Sequence, residues 1–318
     1  MMRVAVLSGG KSHERAVSER TGARVEQALA TLGHDAVMVS ADGGVRARLA
    51  VSGCDVAFVA QHGRGGEDGG IQALLEKMDI PYTGSRSGPC TAAFHKAIAK
   101  RLMLAAGVTT PPFIAVSQSV IEALGGEDAL ARAQAEVGLP LVVKPARGGS
   151  ALGTRFVDDA EGLPRALLGA LSYDDTVIVE RHITGRELAI TVLGAGDGAR
   201  VLPAVEIVPR YADWFDYESR YTHGETEFAC PPDDVADDVL ARANATALAA
   251  YQALDCSGFG RVDIIVDDAG IAWVLEVATV PGLTETSLVP MACAAEGITI
   301  AELVQTLLDD ALDVAPAE

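Results

Sequence analysis

Lysine is the rarest charged residue in this 318-residue chain: five are present, at positions 11, 77, 96, 100 and 144. Lys and Arg together number 25 against 44 Asp and Glu, a net charge of −19. Such an acidic surface repels phosphate backbones and anionic headgroups, which excludes nucleic acid and membrane surfaces as the main partner. Any anionic ligand must be met by a local concentration of the few cations. No apolar run approaches membrane-spanning length, and the opening MMRVAVLSGG reads as a strand entering a glycine turn rather than a signal peptide. The expected compartment is the cytoplasm. The five cysteines, at 54, 90, 230, 256 and 293, are odd in number and irregularly spaced. They show no metal-ligand pattern and read as small core residues. Aromatic residues make up only 5% of the chain, so any local clustering of them is informative.

Hydrophobic residues reach 49%, enough over this length for two or three domains with a sizeable core. The most organised stretch is PLVVKPARGGSALGT, residues 140–154. Leu141 to Val143 read as a buried strand that delivers Lys144, followed by a loop with Gly148, Gly149, Ser150 and Gly153. Apolar residues return at Phe156 and Val157, so the glycines lead back into a strand. A Walker or Rossmann phosphate loop would instead open a helix. A glycine loop between two strands can still fold over a triphosphate, its bare N–H groups meeting phosphate oxygens and the lysine adding a point charge. Taken alone, the same pattern also describes an ordinary hairpin turn.

The N-terminal region reads as βαβ with a small parallel sheet: strand 3–8, a helix from about Val17 to Leu32 stopped at Gly33, then strands HDAVMVS and DVAFVA. The loop after the last strand places His62, Glu67 and Asp68 at its carboxyl end, where α/β sheets bind ligands, although a polar surface loop fits as well. One helix is expected from about Gly88 to Ala106, carrying Lys96 and Lys100, and another near 118–136. Strands follow with Glu180 and Glu187. Residues 209–234 lack periodicity yet hold six of the fifteen aromatics (Tyr211, Trp214, Phe215, Tyr217, Tyr221 and Phe228), the composition of a lid or binding loop.

After an Ala-rich helix at 235–254, GFGRVDIIVDDAGIAWVLEVATVPG reads as a hairpin turning at Asp268 and Ala269. That register sets Asp263 opposite Val274 and makes Glu276 its diagonal neighbour, about 7–8 Å away. Arg261 and Ala278 share this face, while Val262, Ile264, Trp273, Leu275 and Val277 point into a core. Two carboxylates and an Arg on an otherwise apolar hairpin suit Mg²⁺ bridging phosphates, or a solvated face with a cross-strand ion pair.

Eight ordered motifs resemble the D-alanine:D-alanine ligase family of the ATP-grasp superfamily: GGxSxERxVS (9–18), HGxGGEDGxIQ (62–72), PYTGS (81–85), KPARGGS (144–150), VExxIxGREL (179–188), FDYESxY (215–221), GRVD (260–263) and LEVxTxPGxTxxSL (275–288). The resemblance runs from about residue 3 to 313. It implies an α/β (α+β) ATP-grasp fold in three domains. These are an N-terminal domain (1–90), a central ATP-binding subdomain (91–175) and a C-terminal catalytic subdomain (176–318) with the lid at 209–234. The two later domains are expected to carry mixed sheets that grip ATP.

By the same resemblance, Lys96 and Lys144 contact ATP phosphates, Arg220 stands at the lid position usually held by Lys, and Glu180 and Glu187 meet adenine and ribose. Asp263 and Glu276 hold Mg²⁺, or Mn²⁺ in its place. Glu14 binds the first substrate's ammonium and forms a hydrogen-bonded trio with Ser150 and Tyr221, and His62 lies near that substrate's carboxylate. Arg261 and the Gly282 N–H form an oxyanion hole, while Ser287 and the Leu288 N–H take the second carboxylate. The implied activity is ATP-dependent joining of two D-alanines through an acyl phosphate, for peptidoglycan, by a homodimer.

The sequence departs from the family pattern at Ala278, where an Asn metal ligand is usual, and at Arg220. His95 also stands for a usual Asp, and Gly148 for a frequent Glu. A ligase of other amino-acid specificity and a weakly active nucleotide-binding relative are the alternatives these departures keep open.

Overall fold

A computed structural model describes residues 1–124, 135–210 and 226–313. Arg220, Tyr221 and most of the segment read as a lid lie outside the described residues, as does part of the helix expected near 118–136.

Strands β1 (Arg3–Ser8), β2 (Asp35–Ser40) and β3 (Val56–Val59) form a parallel sheet in the order β2-β1-β3. Val4 to Leu7 are wholly buried, which is why β1 reads as a continuous apolar run rather than an alternating one. The helix Arg15–Thr31 makes the crossover and stops where Gly33 takes φ +74°, a left-handed turn that glycine adopts without penalty.

The single helix expected over 88–106 is two helices, Ser87–Phe94 and Lys96–Ala105, broken at an extended His95. The backbone of His95 bridges to Arg147, and the Lys96 N–H donates to the Ala146 carbonyl at 2.8 Å. Tertiary pairing with the glycine loop overrides a local helical pattern and starts the second helix beside that loop.

The central sheet holds β4 (Phe113–Ser117), β5 (Leu141–Pro145), β6 (Arg155–Val157) and β7 (Thr176–Arg181), in the order β4-β7-β5-β6. Alternation divides its residues. Leu141, Val143, Val177 and Val179 pack with Leu163 and Leu167 of the covering helix Leu163–Leu171. Val142, Lys144 and Glu180 therefore face the opposite side.

The third sheet holds β8 (Arg186–Leu193), β9 (Arg200–Val201), β10 (Val205–Pro209), β11 (Thr226–Ala229), β12 (Phe259–Val266) and β13 (Ala272–Ala278). Its order is β11-β10-β8-β12-β13, with β9 on β8. Both later sheets are antiparallel at every described pairing rather than mixed. Strand β11 lies inside the 209–234 segment, where no strand was expected. Its half-exposed edge position leaves no alternation, and pairing with β10 defines it.

The helix Asp237–Ala253 buries Ala243, Ala247, Ala250 and Tyr251 against Leu188, Ile190, Val262, Ile264 and Val274. A second core joins Val4, Leu29 and Phe58 of the N-terminal region to Phe259, Leu288, Leu303 and Leu307. The N-terminal sheet and the third sheet are thus held by one continuous apolar cluster.

The last hairpin departs from the simple register. A bulge between Asp263 and Ile264 pairs Asp263 directly with Glu276, while Ile264 pairs with Val274. One extra residue on β13 shifts the alternation beyond it. Val274 is fully buried, whereas Trp273 and Leu275, expected in the core, are not.

Candidate active site

Two cavities meet where the sheets converge. The larger, about 470 Å³, lies between the central and third sheets; the smaller, about 140 Å³, lies between the glycine loop, the N-terminal region and the 280–288 loop. Lys96, Gly148, Gly149 and Glu276 line both. One wall thus separates two chambers and belongs to each.

The larger chamber is lined by apolar Val142, Phe156, Ile207, Ile265 and Leu275 and by charged Lys96, Lys144, Asp263 and Glu276. The bulge turns Leu275 into this chamber. Lys144 Nζ pairs with Glu180 Oε1 at 2.6 Å, and Lys100 Nζ pairs with Glu180 Oε2 at 2.9 Å. Burial alone would raise the Glu180 pKa, but the two ammonium groups outweigh it and hold the carboxyl below its ordinary value. Burial lowers Lys100 to about 8, against the pull of Glu180. Lys96 Nζ donates to the Gly148 carbonyl at 2.6 Å and sits 3.2 Å from Glu276 Oε2. Glu187 and Arg186 line the same chamber.

The glycine loop is held in an uncommon backbone state. Ser150 and Ala151 take φ +52° and +56°, a left-handed pair that costs non-glycine residues about 1–2 kcal/mol each. This turn brings Ser150 Oγ to Glu14 Oε1 at 2.5 Å. A Cβ on Gly149 would stand 3.0 Å from both Glu14 carboxylate oxygens, and one on Gly63 only 2.6 Å from Oε2. Two bare backbones therefore enclose the carboxylate. Burial, then Glu67, raises the Glu14 pKa above its ordinary 4.5.

The smaller chamber contains Glu14, His62, Glu67, Arg261, Gly282, Ser287 and Leu288. The His62 Nδ1 lies 2.9 Å from the Val280 carbonyl, which can only accept, so that nitrogen carries the proton. Its Nε2 lies 2.9 Å from Thr21 Oγ1. Both ring nitrogens are engaged by protein, so His62 lines the wall with its polar atoms already bonded. Arg261 grips Asp263 bidentately at 2.6 and 2.7 Å, and this pairing outweighs burial to raise the guanidinium pKa. A Cβ on Gly282 would stand 2.8 Å from Ser287 Oγ, so any larger residue here would push the Ser287 hydroxyl out of its place. Ser287 is the N-cap of the helix Leu288–Ala295, which aims the first helical N–H groups at the chamber.

All the described candidates from the sequence lie on these two chambers: Glu14, His62, Ser150, Arg261, Gly282, Ser287 and Leu288 on the smaller, and Lys144, Glu180, Glu187 and Asp263 on the larger, with Lys96 and Glu276 on both. Sequence reasoning gave Lys100 no role. The signal was its spacing of four residues from Lys96 in a chain with five lysines. Glu67, noted at a strand end, proves to act on Glu14.

Two antiparallel sheets closing on a chamber whose glycine loop and lysines meet at one end define an ATP-grasp enzyme. Residues 102–309 match the family model described as D-ala D-ala ligase C-terminus, and residues 44–85 match D-ala D-ala ligase N-terminus. The chain belongs to the D-alanine:D-alanine ligase family, as its motifs implied. It is 41% identical to a D-alanine–D-alanine ligase of Moorella thermoacetica over 98% of this chain and 100% of that protein. It is 42% identical to one of Anaeromyxobacter dehalogenans over 97% and 96%. Its structure resembles the Bacillus anthracis D-alanine–D-alanine ligase complexed with ATP, with a TM-score of 0.81 and 31% identity over 98% of each chain.

Proposed function

We propose that this protein is an ATP-dependent ligase that joins two D-alanines. The observation that carries the reading is the shared wall of Lys96, Gly148, Gly149 and Glu276. A nucleotide with its base among the apolar residues of the larger chamber directs its phosphates at that wall, and an amino acid held by Glu14 lies on the other side.

The chemistry follows from this placement. A carboxylate oxygen of the first D-alanine attacks the γ-phosphorus, and the bond to the ADP oxygen breaks, giving an acyl phosphate. The amine of the second D-alanine attacks the acyl carbon and loses a proton, and inorganic phosphate leaves with the bonding pair. Glu14, oriented by Ser150, holds the first ammonium; Tyr221, outside the described residues, is the third member of that trio. Lys96 and Lys144 neutralise phosphate charge, with Arg220 the corresponding lid cation, and Glu180 and Glu187 meet base and ribose. Arg261 and the Gly282 N–H stabilise the tetrahedral oxyanion. Ser287 and the Leu288 N–H hold the second carboxylate, and His62 supports the 280–283 loop from beneath.

The facing pair Asp263 and Glu276 suits Mg²⁺, which accepts two protein carboxylates and completes its shell with phosphate oxygens and water. Both carboxylates now contact cations, Arg261 and Lys96, and Ala278 brings no oxygen. Bound Mg²⁺ would supply charge neutralisation at the phosphates. The same reading makes the protein a cytoplasmic homodimer that supplies a peptidoglycan dipeptide.

Phosphate release from ATP and Mg²⁺ with D-alanine, with the product weighed by mass spectrometry, tests this. D-alanyl-D-alanine formed in step with phosphate is the expected result. Phosphate release only with another amino acid or hydroxy acid would reassign the second substrate, and ATP binding without turnover on any pair would remove the ligase assignment.

A further inference from the structure

Lys100 lines neither chamber and is fully buried, yet it is the second counter-ion of Glu180. Its Nζ donates to Thr110 Oγ1 at 2.5 Å and lies 5.5 Å from the Phe113 ring centroid. The Thr110 hydroxyl in turn donates to the Val274 carbonyl at 2.7 Å, and the Val274 N–H donates to Thr109 at 2.9 Å. Lys100 is thereby fixed to the central sheet at Glu180 and, through Thr110, to β13 two residues from Glu276. Lys144 differs: it borders the larger chamber and carries one link of the same carboxylate, 2.6 Å away.

These contacts set a charge problem. In this structure the Lys144 ammonium is spent on Glu180. A phosphate drawn to Lys144 competes with Glu180 for that charge, and a buried carboxylate short of a counter-ion is strongly unfavourable. Resting on the reading that Lys144 meets nucleotide phosphates, we propose that Lys100 is a positioning residue: its fixed charge keeps Glu180 compensated, which frees Lys144 for the nucleotide. Lys100 touches no substrate. It acts through Glu180, and the triad of two ammonium groups on one carboxylate leaves one positive charge to offer to ATP.

The test is a cycle of equilibrium ATP titrations, by calorimetry with Mg²⁺ present, on the native protein, Lys100→Met, Glu180→Gln and the double variant. Methionine keeps the shape and removes the charge. The expected result is ATP binding weakened at least about tenfold in Lys100→Met, with the KM for D-alanine unchanged. In the Glu180→Gln background there is no carboxylate to compensate, so adding Lys100→Met changes ATP affinity by less than about twofold. Native-strength ATP binding by Lys100→Met overturns the proposal. So does an equal loss in both backgrounds, which marks a purely structural lysine. If Lys100→Met alone does not fold, the double variant decides. Folding with the ATP affinity of Glu180→Gln supports the proposal, and failure to fold shows that Lys100 serves the fold independently of Glu180 and overturns it. A native protein that binds no ATP would remove the nucleotide reading itself, a separate outcome.

Discussion

Ser150 donates a 2.5 Å hydrogen bond to Glu14 across 136 positions of sequence, tying the glycine loop to the start of the first helix. Both residues line the smaller chamber, beside the wall that it shares with the larger. Ser150→Ala removes the donor and leaves the Glu14 carboxylate with one less partner. The expected outcome is a fall in kcat/KM for D-alanine of about 10²-fold, with a smaller change in the KM for ATP, measured by steady-state phosphate release.

Glu14→Gln should separate stability from activity. Burial and Glu67 raise the folded pKa of Glu14 above the ordinary 4.5. Between those two values the folded state binds more protons than the unfolded state, so this group's contribution to stability falls as pH rises through the window. Above it, the native protein carries the cost of a desolvated charge that glutamine lacks. Thermal melts should show Glu14→Gln roughly 1–3 °C more stable at pH 7.5, with the gap closing once the pH drops below 4.5. Phosphate release at pH 7.5 should meanwhile collapse, because the amide does not neutralise the substrate ammonium.

Gly282→Ala places a methyl group 2.8 Å from Ser287 Oγ. The Ser287 hydroxyl must turn away or the loop must shift, and either change disturbs the proposed contact to the second carboxylate. The KM for the second D-alanine should rise about tenfold while the KM for ATP stays constant. Equal changes in both would show the loop to be general scaffold rather than a substrate contact.

Ala278→Asn adds an oxygen on the face shared by Arg261, Asp263 and Glu276. Mg²⁺ titration calorimetry with ADP present should give binding tightened by about three- to tenfold over the native chain. The Mg²⁺ needed for half-maximal phosphate release should fall in parallel. EDTA should stop turnover in both proteins and leave their thermal melts almost unchanged, because Val262, Ile264 and Val277, which flank the carboxylate pair, pack into an apolar core that needs no metal.

Much of this was legible in the chain. Strand β5 with Lys144 and the returning β6 showed in the apolar run and its glycines, because a strand buried on one face and lining a chamber on the other has few residues to spare. The hairpin face with Arg261 and Asp263 followed from period-two alternation. Two features did not follow. The break at His95 overrides a good helical pattern, and its cause, pairing with Arg147, lies 52 residues away. The bulge after Asp263 changes which residue faces which, and no composition signal marks it.

The sequence by itself determined the chemistry on offer: few lysines, set on the strand before a glycine loop and on one helix, with carboxylates on alternating strand faces and eight ordered motifs that identify the family. Periodicity and spacing are local properties, so they survive in one dimension. Only the tertiary structure decided which of those groups neutralise one another. Glu180 shares its charge between Lys100 and Lys144, Asp263 holds Arg261, and Glu14 lies between the bare backbones of Gly63 and Gly149. Those pairings depend on distances of a few ångströms between segments far apart in the chain, and burial strengthens them, so they exist only once the sheets have packed.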